Sequence, residues 1–281
     1  DLENLLRQNL AHFWKRLATY TKQSTKNYTK PMTERNIRLV VAYDGTDFSG
    51  WQRQGPDRSV QGDIEAALLK MHKHPVQLIG SGRTDAGVHA IGQVANFKTD
   101  IAHIPAERFV PALNSILERD VRILHAEEAS PDFHARFDAK SRTYRYHIIS
   151  GRPAMPHELR YAWQLWRQPD VSRLNAYARL LLGETDCSLF ASPRDPSLSR
   201  SRYISQARFF VEGSRLIFEI TANAFLWKMV RSIVGSLLYY EERDFSVEQV
   251  QKLISSGDHT LAGPTAPPEG LFLWKIDYYR S

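Results

Sequence analysis

Apolar positions mark out the elements of this chain by how they alternate and recur. Ile37 to Ala42 is an apolar, β-branched run that closes on Tyr43-Asp44-Gly45-Thr46, which predicts a strand and then a turn. Ser59 stands before Ile64, Leu68 and Met71, which share one side of a predicted helix that the serine caps. Gln93 to Lys98 and Val121 to Ala126 read as strands, and Pro105 to Leu117 as an amphipathic helix with Phe109, Leu113 and Ile116 inward. The second half of Phe133 to Ile148 alternates, so Tyr144 and Tyr146 share one strand face while Arg145 points the other way. Trp163 and Trp166 are spaced like helix neighbours. Val171 to Leu182 is a predicted helix with Leu174, Tyr177 and Leu181 aligned. Arg208 to Val211 and Leu216 to Thr221 flank Glu212-Gly213-Ser214 as a hairpin. Ala224 to Tyr240 is mostly apolar and reads as a buried helix, and Phe245 to Ile254 as a short one.

Residues 1–31 stand apart. Leu2, Leu6, Leu10, Phe13 and Leu17 recur at helical spacing with basic residues between, then a Thr-, Lys- and Ser-rich stretch runs to Lys30. An amphipathic helix on a loose linker and a targeting peptide are both open readings, with Met32 as a candidate natural start. The Gly- and Pro-rich stretch from Gly151 to Pro156 divides the remainder into halves, 32–150 and 151–281.

Length and composition narrow the class. The chain has 281 residues, 42% of them apolar, enough for one large domain or two packed halves. No apolar run approaches membrane-spanning length, so no membrane partner is expected. The single cysteine, Cys187, excludes an internal disulfide, reads as inert packing, and points to a reducing, cytoplasmic setting. The net charge is +6, but residues 1–31 hold six Lys or Arg against Asp1 and Glu3. Two of the six net charges are left for the rest, so any case for nucleic-acid binding rests on local clusters.

Those clusters surround one carboxylate. Gly80 to Phe97 reads GSGRTDAGVHAIGQVANF, with small residues on both sides of Asp85 and with Arg83 two positions before it. The pattern fits a Gly-rich turn with a surface ion pair. Less readily, from spacing alone, it fits a loop that keeps a carboxylate ionised as a nucleophile. His89 just beyond it reads as a structural hydrogen-bond partner. Arg136, Lys140, Arg142 and Arg145 interleave with Phe137, Tyr144 and Tyr146, which suits either a nucleotide surface or a half-exposed edge strand. Ser192 to Arg202 is a polar loop with Arg194, Arg200 and Arg202 against Asp195. Lys228 and Arg231 lie three apart on the apolar helix, where two cations are costly unless they meet an anion. His72 and His74 lack further ligands in pattern and read as a solvated helix end, so no metal is expected. No Rossmann or Walker pattern is present, and YDGT lacks the leading Asp of an aspartyl-phosphate motif, so no cofactor is expected.

GRTDAGVHA followed by GQV resembles the signature loop of the TruA-type tRNA pseudouridine synthases over nine uninterrupted residues. YDGTDFSGWQRQ, RTYRY, NAFLWKMVRSIVGSL and AGPTAPPEGLFLWKI are similar to further segments of that family, in family order from about Ile37 to Ile276. The resemblance implies an α/β (α+β) fold. Two similar halves share a mixed, largely antiparallel sheet flanked by helices, with the active-site cleft between them, in a homodimer. It implies an isomerase that converts uridine to pseudouridine at positions 38, 39 and 40 of the tRNA anticodon arm, without a cofactor.

Residue by residue, the resemblance makes Asp85 catalytic and has Arg83 and Arg231 hold its charge and orient the flipped base. Tyr144 lies against that base, Leu271 and Phe272 lie near the site, and Lys140, Arg142 and the Arg200 loop grip phosphates. Trp227 departs from the histidine or arginine that the family carries near that position. Two other classes stay open from the residues alone. One is a catalytically silent RNA-binding module. The other is a nucleoside or glycoside hydrolase, which usually wants a second carboxylate near the first.

Overall fold

The computed structural model describes residues 34–278. The helix expected over Leu2 to Leu17, its linker and Met32 lie outside the described residues. Strand β1 spans Arg35–Tyr43, with Ile37, Leu39, Val41 and Tyr43 buried on one face as the alternation predicts. Helix α1 (Val60–His72) begins where the Ser59 side chain accepts the Gly62 N–H at 3.2 Å, and it buries Ile64 and Leu68. Strand β2 (Leu78–Gly80) leads to the Asp85 loop, and β3 (His89–Thr99) leaves it. A 3-10 turn over Ala106–Arg108 and helix α2 (Phe109–Asn114) replace the longer helix expected over Pro105 to Leu117, although Phe109 and Leu113 are buried as anticipated. Strand β4 spans Val121–Ala129 and β5 Ala139–Ser150.

The remaining elements are β6 (Trp163–Leu165), helix α3 (Val171–Arg179), β7 (Gly183–Asp186) and the hairpin of β8 (Ser201–Glu212) and β9 (Arg215–Ala222). Helices α4 (Met229–Glu242) and α5 (Val247–Ser256) and strand β10 (Leu271–Tyr278) complete them. Among the described residues ten strands form one mixed sheet, in the order β4-β1-β3-β10-β5-β9-β8-β7 with β2 on β3 and β6 on β5. The pairs β3–β10 and β5–β6 are parallel and the others antiparallel. The mixed, largely antiparallel sheet expected from the resemblance is the one observed. No helix of the described residues is long and apolar enough to cross a membrane.

Four local readings need correction. Strand β5 is no edge: it lies between β10 and β9, and Arg145 on its second face pairs with the buried Glu219 at 2.7 Å and covers the Trp274 ring at 4.1 Å. Trp163 opens strand β6 and Trp166 is exposed beyond it; a spacing of three between two tryptophans fits either element when the segment is short. His72 is buried rather than solvated, with Nδ1 2.9 Å from Leu68 O and Nε2 2.7 Å from Thr99 Oγ1. Helix α4 starts at Met229, five residues later than its apolar run suggested. Cys187 is fully buried, and burial pushes its thiol up to about 12, which fits inert packing.

Helix α4 buries residues on nearly every side, because the segment from Ala262 to Pro268 crosses it closely. Ser236 Oγ accepts the Gly263 N–H at 2.9 Å, and Arg231 O accepts the Ala266 N–H at 3.1 Å. A Cβ on Gly235 would stand 1.8 Å from Pro264 O, a backbone atom that cannot turn aside. Gly235→Ala therefore destabilises by about 1–3 kcal/mol through overpacking, against a helix-propensity gain of at most about 1 kcal/mol. A lower urea midpoint at unchanged m-value is the expected result, and an unchanged or higher midpoint would rule out the close crossing.

Candidate active site

Asp85 sits in a loop, residues 81–88, that both neighbouring strands and the turn after β1 hold in place. Ser81 N–H donates to Val94 O at 2.8 Å, and the buried Gln93 bonds Ser81 Oγ at 2.6 Å and Gly82 O at 3.0 Å. Thr84 Oγ1 shares a 2.8 Å hydrogen bond with the Tyr43 hydroxyl, and Thr84 O accepts the Trp51 N–H at 3.1 Å. That approach needs glycine at position 50, where a Cβ would fall 2.6 Å from Thr84 O. Gly87 has φ +76°, a left-handed conformation that closes the turn as Val88 N–H reaches Asp85 O at 3.2 Å. So the YDGTDFSGW and GQV segments act as the bed of the loop. His89 belongs to that bed: Gly45 N–H donates to Nδ1 at 3.0 Å and Nε2 meets Arg160 O at 3.0 Å. Burial holds its pKa below the ordinary value, although Asp44 pulls it up, so it is a structural partner as expected.

The carboxylate of Asp85 is about one-quarter exposed and has a donor on each oxygen. Arg231 Nη1 donates to Oδ2 at 3.4 Å, and Trp227 Nε1–H donates to Oδ1 at 3.0 Å. Arg231 comes from the first turn of α4 and is itself steered: its Nε donates to Ala266 O at 2.7 Å. Lys228 does not share its helix face. It is the residue before the helix, exposed, with φ +62°, and its Nζ lies 5.1 Å from the Trp227 ring centroid. That left-handed residue separates Trp227 from the start of the helix.

Tyr144 lines the same side of the sheet from β5. Its ring is buried edge-on to Phe225 at 5.0 Å, and burial together with the nearby Asp85 charge raises its pKa. It is therefore a neutral hydroxyl on a flat apolar face rather than a phenolate base. Leu271 pairs in register with Tyr146 and so shares the sheet face of Tyr144 and Tyr146. Phe272 takes the opposite face, stacked on His89 and His147 at 4.7 Å each, so the expectation that it lies at the site is not met.

The other cations divide by what they hold. Arg83 is exposed at the rim and makes no ion pair with Asp85 among the described residues; the cation there is Arg231. Arg142 is turned inward. Its guanidinium donates to Ala139 O, Asn223 O, Ser81 O and Arg136 O at 3.2, 2.7, 3.1 and 3.0 Å, tying β5 to the start of the Asp85 loop. A guanidinium committed to four carbonyls is not presented to a phosphate, and burial lowers its pKa further. Lys140 next to it is exposed. In the loop after β7, Arg200 donates back to Asp195 O at 3.2 Å and to Ser192 O at 3.4 Å. Burial works against the charge of Asp195, yet the Trp227 and Ser197 N–H groups keep its pKa below the ordinary value. This loop therefore anchors Trp227, a residue that sequence reasoning marked only as a departure.

The family profile described as tRNA pseudouridine synthase matches residues 39–138 and 177–279. The chain is 53% identical over 250 residues to tRNA pseudouridine synthase A of Treponema denticola, covering 87% of this chain and 93% of that protein. It is 48% identical to the protein of that name from Treponema pallidum, over 82% of this chain and 84% of the other. With that of an Exiguobacterium species the identity is 38%, over 88% and 99%.

Proposed function

Because the chain belongs to the tRNA pseudouridine synthase family, we propose that it isomerises uridine to pseudouridine in tRNA, at positions 38, 39 and 40 of the anticodon arm. The reaction breaks the N1–C1′ bond, turns the base, and joins C5 to C1′. The C5 proton leaves and N1 gains one, so no oxidant, phosphate donor or cofactor enters the balance. The target base is flipped out of the stem to be reached.

The observation that carries this reading is a single carboxylate with a donor on each oxygen beside a neutral tyrosine face. Asp85 is the group that opens the glycosidic bond, by attack at C1′ or C6 or by taking a proton. Arg231 holds its charge and aims Oδ2. The Tyr144 ring gives the flipped uracil a surface to lie on, and its hydroxyl, kept neutral by burial, can pass a proton but not act as a phenolate base. Leu271 shares that face, and Arg83 helps replace or orient the flipped base. Lys140 is offered to the RNA backbone, whereas Arg142 positions the loop. The same family likeness supports a homodimer working in the cytoplasm.

A tRNA transcript tritiated at uridine C5 tests the reading, since tritium reaches water only when C5 becomes the new glycosidic carbon. Wild-type protein is expected to release it stoichiometrically from the anticodon arm. Tight tRNA binding without release would instead make this an RNA-binding module, and free uracil would make it a hydrolase.

A further inference from the structure

Each carboxylate oxygen of Asp85 has a donor, yet the two donors are held very differently. Arg231 is only 13% exposed at its side chain, is fixed by Ala266 O at 2.7 Å, and belongs to a helix buried on almost every side. It cannot leave without disturbing the core. Trp227 lies outside that helix and its residue is 39% exposed, so its indole is less confined than Arg231. Its backbone is the fixed part: the N–H donates to the buried Asp195 carboxylate, and the C=O accepts Ser192 N–H at 3.3 Å. The side chain can therefore rotate while the chain stays anchored. Where it now stands, its Nε1–H takes up the carboxylate oxygen that Arg231 leaves, so a group that needs Oδ1 has to displace it.

Resting on the synthase reading above, we propose that Trp227 is a further substrate-gating residue of this site. Its Nε1–H latches Asp85 Oδ1 in the free protein and gives it up when the target nucleotide enters. The latch keeps the carboxylate hydrogen-bonded and oriented between turnovers, and it admits only a ligand whose own contacts replace the bond. Because a closed state must open first, the apparent affinity is reduced by the fraction of molecules already open. The exposed position of the ring limits the bond, so the closed state exceeds the open one by about two- to ten-fold rather than by more.

The test uses full-length protein carrying 15N-tryptophan, with the Trp227 indole resonance assigned by its loss in Trp227→Phe. An anticodon-arm RNA with uridine at the target position is the probe, and the same arm with cytidine there is the comparison. The indole resonance is expected to move in free Asp85→Ala, which removes the acceptor. It is expected to move toward that same position when wild type is saturated with the uridine arm. Trp227→Phe, which keeps a ring but has no N–H, is expected to bind the uridine arm about two- to ten-fold more tightly than wild type. A merely structural tryptophan would weaken binding on replacement and would not report on Asp85. An indole resonance unmoved by Asp85→Ala, one unmoved by the uridine arm, or equal or weaker binding by Trp227→Phe would each overturn the latch. Tritium release with an unmoved resonance sinks the latch alone. A latch that opens on RNA without any tritium release sinks the synthase reading alone.

Discussion

Asp85→Asn is expected to reduce tritium release from a C5-labelled tRNA by about a thousand-fold or more, while tRNA affinity stays within about a few-fold. The substitution removes the charge, the nucleophile and the Arg231 bond to Oδ2, but leaves the rest of the loop in place. The asparagine carbonyl can still accept the Trp227 N–H, and its volume matches, so the loop bed built by Gln93, Thr84 and Trp51 is untouched. Affinity is held by contacts spread along the RNA backbone, which one side chain at the reacting centre does not supply. The measurement is a single-turnover release with enzyme in excess, paired with filter binding of the same transcript. A release rate within ten-fold of wild type would remove Asp85 from the chemistry. A parallel collapse of binding would show instead that the variant has lost its fold or its RNA surface.

How much of this was legible without the structure depends on whether a feature is local. Strand β1 and the β8–β9 hairpin follow from alternation and from a two-residue turn at Gly213-Ser214, where Gly213 takes φ +60°. The capped start of α1 follows from Ser59. Features set by tertiary contact did not follow. The apolar run before α4 continues the helical pattern through Ala224 to Leu226, but the chain bends at Lys228, so Trp227 stands outside the helix, with its indole on Asp85. The basic and aromatic alternation of RTYRY suggested an RNA surface, yet the carbonyls around Arg142 come from three separate stretches of chain and are invisible to any local pattern. Asp85 and Arg231 stand 146 residues apart. Only the resemblance of GRTDAGVHA and MVR to known segments joined them, since neither charge nor spacing does.

Arg231→Lys is expected to lower kcat by about a hundred- to a thousand-fold with KM for tRNA within about three-fold, the loss typical of removing one preorganised donor. The charge is kept, so simple neutralisation of Asp85 is not what is lost. What is lost is the fork. Arg231 reaches Ala266 O through Nε and Asp85 Oδ2 through Nη1 at once, and a lysine ammonium at one point cannot hold both. Carboxylate aim then depends on a flexible chain, and a misplacement near 1 Å at the reacting atom is enough for a hundred-fold loss. Arg231→Met takes the argument one step further: it keeps the bulk against α4 but leaves Ala266 O without its donor and Asp85 without a cation. Its activity should fall below that of Arg231→Lys, and its urea midpoint should fall as well. Equal, low activities for the two variants would mean that the charge without the fork contributes nothing, whereas a lysine variant as active as wild type would mean that the guanidinium geometry is irrelevant. A lysine variant with wild-type kcat and raised KM would place Arg231 on the RNA instead of on the carboxylate.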